Sequence, residues 1–337
     1  MRDVKIFAVV VIIVVIIVAF YYLIMSSNPI SEPPNFRVTI IRDKMFVRWS
    51  SNESTIGEIE INGINYTENS SHMLHKLVVP HISKGHMRIL EYKDGKDFAT
   101  YCVELSKIHN VSLSAGIYAG YGADTGSYRM LSSLLVNMGF DTQFLIAENF
   151  NKLYDLFKFD IIAFPGGRAD HMIMGLSRQQ IDTLREYVSQ GGSYMGICAG
   201  AYFASNYTVW NGIKYGDNAG YILDLYSGDA VGPIKEIGNY DLNSTYNPQY
   251  PTNITWYNGE IFNVTYWGGP YFTPTNNVKV LAIYDKIHKP AAIKFMYHSG
   301  RVILFGFHPE INTYYSQENR EMFLKALKIE ILWLAGL

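Results

Sequence analysis

Cysteine is scarce: the chain of 337 residues carries two, Cys102 and Cys198. Two cysteines cannot build a disulfide scaffold, so the fold must rest on a hydrophobic core. Charge is scarce as well. Asp, Glu, Lys and Arg make up 17% of the residues, against about 25% in an ordinary soluble domain. The formal net charge is −2, and without a basic excess a nucleic-acid partner is excluded. No P-loop occurs, nor a G-x-G-x-x-G in dinucleotide context, so no nucleotide cofactor is expected. His72, His75, His81 and His86 show no metal-ligand spacing, and no metal is expected either. Apolar residues reach 48%, which excludes disorder and leaves material for roughly two domains.

What is abundant is concentrated at the start. No charged residue stands between Lys5 and Glu32, and residues 6–25 are almost wholly apolar. As a helix that stretch is about 30 Å long, the thickness of a bilayer core. Arg2 and Lys5 precede it and no basic residue follows until Arg37. The positive-inside rule then predicts a single-pass membrane anchor, N-terminus cytoplasmic and the bulk of the chain extracellular. A cleaved signal peptide is the rival, but its apolar core is usually about 7–15 residues. Asn-x-Ser/Thr sequons at Asn52, Asn65, Asn69, Asn110, Asn206, Asn243, Asn253 and Asn263 agree with an exported glycoprotein.

Three regions are expected: anchor and linker over 1–33, a small all-β sandwich over 34–108, and an α/β domain over 109–337. Ser31–Pro34 is a short stiff linker. Alternating segments at 36–40, 45–49, 57–61, 86–92 and 98–105 predict short antiparallel strands. Together with the Pro-rich entry and the Val47-Arg48-Trp49 segment, they resemble a fibronectin type III domain. That resemblance implies a spacer or adhesion module. Cys102, on the last of these strands, reads as a small core residue.

From Val111 onward strands and helices alternate. Strands are predicted at 112–118, 144–146, 160–164 and 193–197, and helices at 127–138, 177–190 and 318–334. That pattern means βαβ units around a parallel sheet, flavodoxin-like in class. The region 206–285 reads as strands and loops added to the sheet, and 291–305 as a closing hairpin.

Three motifs fall at the carboxyl ends of predicted strands, where such sheets place their sites. Gly196-Ile197-Cys198-Ala199-Gly200 has the small residues that a nucleophile elbow requires. Phe164-Pro165-Gly166-Gly167 can turn backbone N–H groups toward an oxyanion. Gly306-Phe307-His308-Pro309-Glu310 supplies a base and an acid to orient it. Each is common by itself; their joint order is what carries weight.

That set resembles the class I glutamine amidotransferase superfamily, and most closely its biotin–protein ligase N-terminal-like branch, over about residues 111–330. The branch is suggested by the glycine-rich loop 120–126, Cys198-Ala199-Gly200-Ala201-Tyr202, Gly228–Pro233 and Tyr266-Trp267-Gly268-Gly269-Pro270. The resemblance implies a catalytic triad of Cys198, His308 and Glu310, with Gly166, Gly167 and Ala199 around the oxyanion. Substrate contacts are expected from Tyr118, Gly122, Arg168, Asp170, Tyr202, Tyr266, Gly268 and Gly269. Two positions depart from the superfamily. Tyr202 stands where glutaminases carry Gln, and Ala199 stands where the related proteases carry His. The implied function is a thiol-dependent hydrolase of a small-molecule or peptide amide. A surface binding or adhesion module that kept the fold without turnover is the alternative.

Overall fold

A computed structural model describes residues 32–337 except 42, 217–221, 242, 245–246 and 312–315. The expected membrane span at 6–25 lies outside the described residues. Among the described residues no helix is long and apolar enough to cross a membrane.

The N-terminal region holds strands β1 (Arg37–Ile41), β2 (Lys44–Ile61), β3 (Ile64–Thr67), β4 (His72–Pro80), β5 (His86–Lys93) and β6 (Lys96–Glu104). Strand β2 serves two layers. Its first half pairs with β1 and β4, its second half with β3 and β5, and β6 completes the second layer. Trp49, Val47 and Met45 from the first half pack with Ile59, Met87 and Ile89 from the second layer. The sequence predicts two strands where β2 is one. The polar residues between them bulge rather than turn: Ser51 Oγ and Thr55 Oγ1 share a hydrogen bond of 3.1 Å, and the register with β4 shifts between Ser50 and Thr55. Cys102 is half-buried at the edge strand β6 and free, rather than a core residue.

The C-terminal region continues with β7 (Leu113–Tyr118), β8 (Phe140–Leu145), β9 (Ile161–Phe164) and β10 (Ser193–Ile197). The connecting helices are α1 (Thr125–Asn137), α2 (Leu153–Leu156), α3 (Ala169–Met174), α4 (Arg178–Ser189) and α5 (Ala199–Ala204). Asp124 caps α1 by accepting from Ser127 N. Ser177 and Gln180 close a capping box on α4, which offsets the unpaired N–H groups of a first turn. Next come β11 (Ser205–Trp210), β12 (Ile213–Gly216), β13 (Tyr226–Gly232), β14 (Tyr250–Trp256), β15 (Ile261–Tyr266), β16 (Tyr271–Phe272), β17 (Lys279–Tyr284), β18 (Lys289–Tyr297), β19 (Gly300–Phe305) and α6 (Gln317–Ala335).

The main sheet runs β15-β14-β17-β18-β19-β10-β9-β7-β8. Its parallel part, β8-β7-β9-β10-β19, reads 2-1-3-4-5 in order of appearance, the flavodoxin-like order. The predicted sheet is parallel; the observed one is mixed, because β18, β17, β14 and β15 extend it antiparallel. A separate small sheet, β12-β11-β13-β16, follows directly from α5.

The β-layers dock at the amino ends of the parallel strands. Arg48 pairs with Asp160 at 2.6 Å, both buried. Asp160 also accepts from Ser114 N at 2.7 Å, Arg37 donates to Ser112 O at 2.8 Å, and Leu74 N donates to Gln190 O at 3.0 Å. The carboxyl ends lie on the opposite side.

Candidate active site

Strand β10 is buried throughout and ends one residue before Cys198. Cys198 has φ 50° and ψ −101°, a strained conformation for a residue with a side chain, as a nucleophile elbow demands. The flanking glycines are obligatory. A Cβ on Gly200 would stand 2.2 Å from Phe164 O, and one on Gly196 2.7 Å from Gly200 O. The loop after β15 lies over the sulfur, and Cys198 Sγ donates to Trp267 O at 3.4 Å.

His308 follows β19, the strand beside β10, and is fully buried. Its Nδ1 lies 2.8 Å from Glu310 Oε1. Burial disfavours the imidazolium, but the Glu310 carboxylate and the nearby Cys198 sulfur outweigh it and hold the His308 pKa above its ordinary value. Nε2 has no hydrogen-bond partner among the described residues. Glu310 Oε1 also accepts from Ser127 Oγ at 2.7 Å, and Ser127 Oγ in turn accepts from Gly166 N at 2.8 Å. Sequence reading missed Ser127. Its only signal was its place in the first turn after the glycine-rich loop.

That bond corrects one expectation. The Gly166 N–H is spent on Ser127 and is not open to an oxyanion. Gly166 serves another purpose, since a Cβ there would meet His308 Cε1 at 2.3 Å. Gly167 has φ +144°, and a Cβ on it would strike Gly122 O at 2.1 Å. The Gly167 N–H donates to no acceptor among the described residues. Ala199 opens α5, where an N–H has no partner within its own helix. Of the three expected oxyanion donors, Gly167 and Ala199 are not spent in this way.

Two cavities meet at Cys198. One, of about 450 Å³, is walled by Ile173, Tyr202, Trp210, Tyr240, Trp267 and Gly268, with Arg168 and Asp170 also in its lining. The other, of about 320 Å³, is lined by Gly122, Asp124, Arg168, His171 and His308. Gly122, Arg168, Asp170, Tyr202 and Gly268 thus stand where substrate contacts are expected. Tyr118, Tyr266 and Gly269 line neither cavity. Tyr118 is buried, stacked on Phe164 at 4.6 Å, and donates to Tyr121 O. Tyr266 is buried; its hydroxyl donates to Gly269 O and accepts from Ile234 N. Gly269 lets the loop approach the nucleophile: a Cβ there would stand 2.0 Å from Gly306 O and 3.3 Å from Cys198 Cα. Trp210 and Tyr240 are lining residues that sequence reading missed, because both sit in stretches whose period marks no site. Of the aromatic residues between 256 and 272, Trp256, Phe262, Tyr266 and Phe272 belong to the core, and Trp267 faces the site.

Glu68, His72 and His75 come together in the N-terminal region with ligand atoms within 4.8 Å of one another. Sequence spacing does not show this group, because Glu68 lies in the loop before β4 and meets the histidines only once that loop folds back on the strand. Both Glu68 oxygens are already engaged. Oε1 accepts from Lys76 N and lies 3.1 Å from His72 Nε2; Oε2 accepts from Gly57 N and lies 2.7 Å from His75 Nδ1. Burial opposes the charge of this carboxylate, but the two histidines pull its pKa down to about 2. The group reads as a clasp between β2 and β4.

The chain matches the family described as biotin-protein ligase, N terminal, over residues 115–330. A curated relative, biotin–protein ligase of Schizosaccharomyces pombe, is 27% identical over 174 residues, 45% of this chain and 26% of that protein. The chain therefore spans about a quarter of that relative. Among solved structures it is similar to a glutamine amidotransferase at 19% identity, covering 66% of this chain and 99% of the other, TM-score 0.45. It is similar also to PurLQS from Thermotoga maritima at 14% identity, covering 66% and 100%, TM-score 0.45. With more than half of the chain matched, this protein belongs to the biotin-protein ligase N-terminal family.

Proposed function

We propose that this protein is a Cys198-dependent amide hydrolase. The observation that carries the reading is the strained Cys198 beside a buried His308 whose Nδ1 is held by Glu310. With its proton held on His308, where burial opposes the charge but Glu310 and the sulfur raise the pKa, the Cys198 thiolate attacks the amide carbonyl carbon. A C–S bond forms, and the carbonyl oxygen becomes an oxyanion held by the Gly167 and Ala199 N–H groups. The C–N bond then breaks as His308 returns the proton to the leaving nitrogen. Water, losing its proton to His308, adds to the thioester and releases the acid and free Cys198.

Tyr202 in the cavity wall, where glutaminases carry Gln, argues against glutamine as the substrate. The ligase activity named for the yeast relative is not carried over, since the match covers 26% of that protein. The apolar run at 6–25, with Arg2 and Lys5 before it, supports an anchor with the catalytic region outside the cell. Exposed sequon residues such as Asn52, Asn65 and Asn253 agree with that side.

The test is the alkylation rate of Cys198 against pH in the full chain, with half-buried Cys102 as internal control. Rapid reaction near neutral pH that slows in His308→Ala supports the thiolate mechanism. Inertness equal to that of Cys102 sinks it. One observation favours a binding module instead: Cys198 Sγ is bonded to Trp267 O while His308 Nε2 has no partner among the described residues. An inert Cys198 would make that the leading reading. For the anchor, membrane fractionation with protease protection of intact cells decides; a chain that stays soluble and uncleaved refutes it.

A further inference from the structure

We infer that the two cavities divide the substrate at its scissile bond: the aromatic one takes the acyl group, which is bulky and apolar, and the polar one takes the leaving amine. This assignment rests on the hydrolase reading above and adds to it a substrate class, an amide of an aryl- or alkyl-substituted acid.

The lining residues set the polarity. Tyr202 and Trp210 meet edge to face at 5.6 Å, and Trp210 and Tyr240 at 5.8 Å, so one aromatic wall runs through the larger cavity. Ile173 and Trp267 complete its apolar lining. Three of the hydroxyls that reach this wall are spent on backbone carbonyls, while Asn206, Tyr215 and Tyr240 keep polar atoms in the lining. Ser205 Oγ donates to Ala201 O at 2.9 Å, Thr208 Oγ1 to Tyr202 O at 3.4 Å, and the Tyr202 hydroxyl to Gly268 O at 3.1 Å. The charges in its lining, Arg168 and Asp170, pair with each other at 2.6 Å. A polar or charged acyl group entering here would lose its water and find few partners. An apolar one gains from burial.

The placement of the proton carrier sets the direction. His308 lines the smaller cavity and not the larger. Ala199 lines the larger and not the smaller, while Gly167, Arg168, Cys198, Tyr240 and Trp267 line both. Ile173, Tyr202 and Trp210 thus belong to the larger alone, and Asp124, His171 and His308 to the smaller. The leaving nitrogen must take its proton from His308, so it lies on the His308 side, with Asp124 in the same wall. The other substituent of the carbonyl carbon then points into the aromatic cavity.

A set of p-nitrophenyl esters with one leaving group and different acyl groups tests this on the full chain. Cys198 displaces p-nitrophenolate and becomes the acyl thioester, so the burst of p-nitrophenolate reports acylation. Acetyl, 3-phenylpropionyl and succinyl esters are compared, each against its own hydrolysis in buffer, with Cys198→Ala as blank. The expected result is acylation by phenylpropionyl about tenfold or more faster than by succinyl, the scale of a buried ring. Ile173→Trp, which narrows the cavity, lowers the phenylpropionyl-to-acetyl ratio. Should that variant not fold, Trp210→Ala, which removes part of the wall, lowers the same ratio. Succinyl reacting as fast as phenylpropionyl, or equal rates for all three acyl groups, overturns the assignment while Cys198 stands as nucleophile. No Cys198-dependent burst with any ester overturns both the assignment and the hydrolase reading.

Discussion

Ser127 Oγ donates to Glu310 Oε1 at 2.7 Å across 183 positions of sequence. Because the same oxygen accepts the Gly166 N–H, one hydroxyl ties the acid that orients His308 to the loop that carries Gly167. Ser127 is a positioning residue. Its loss leaves a buried carboxylate oxygen and a buried N–H short of a partner.

Ser127→Ala should slow acylation of Cys198 by about tenfold to a hundredfold, the rate equivalent of one buried polar group left unsatisfied. The unfolding midpoint should fall only modestly. Stopped-flow bursts with p-nitrophenyl acetate, set against thermal unfolding, separate the two effects. An unchanged burst rate would mean that Glu310 needs no second tether.

Gly166→Ala places a methyl group 2.3 Å from His308 Cε1. The ring must move, and with it Nδ1 from Glu310. Acylation should drop by about a hundredfold or more while circular dichroism keeps its native form, since misplacement by about 1 Å costs that much. Native-like rates would show that the imidazole has room to shift.

Protonation of His308 has a definite sign. Although burial opposes it, Glu310 and Cys198 raise its pKa above the ordinary 6.5 to about 10. Its stabilising contribution is therefore fully present below about pH 6.5 and is lost as the pH rises through about 10. In nitrogen-15 histidine NMR, one imidazole should stay protonated well above the others. Glu310→Gln should bring that midpoint down, because burial then dominates. A wild-type chain in which every histidine titrates together would refute this.

At the junction of the β-layers and the α/β domain, Arg48→Ala leaves Asp160 buried without its cation. A loss of about 3–5 kcal/mol in chemical unfolding is expected. Close by, Lys76 donates to Ser193 Oγ, and burial pushes its pKa down to about 7. A lysine lowered in the folded state makes stability rise as pH climbs from about 7 to its ordinary 10.5. Lys76→Met should flatten that rise, as urea titrations across the range will show. A rise of the same size in the variant removes Lys76 as its cause.

The helices were legible because their signals are local. The apolar periods at 127–138, 177–190 and 318–334 give α1, α4 and α6 to within two residues, while the short α2 and α3 have too few turns to show a period. The elbow was legible because Gly196 and Gly200 bracket Cys198 at a spacing that only a sharp turn needs. Strand β2 was misread as two, because a polar stretch between alternating segments normally turns. Here it forms a bulge, closed by the hydrogen bond between Ser51 and Thr55, after which the strand runs on. Tyr118 and Tyr266 were misplaced because a tyrosine beside a site and a tyrosine supporting its loop share the same sequence context.

By itself the sequence determined the alternation of β and α and the three strand-end motifs. Those depend on period, capping and glycine, which act over a few residues. Only the tertiary structure decided that the sheet is mixed and that Gly166 serves His308 rather than the oxyanion. It also placed Ser127 between the acid and the loop, and Cys198 between an aromatic cavity and a polar one. These are contacts across the sheet between residues far apart in the chain, and they exist only once β7, β9, β10 and β19 lie side by side.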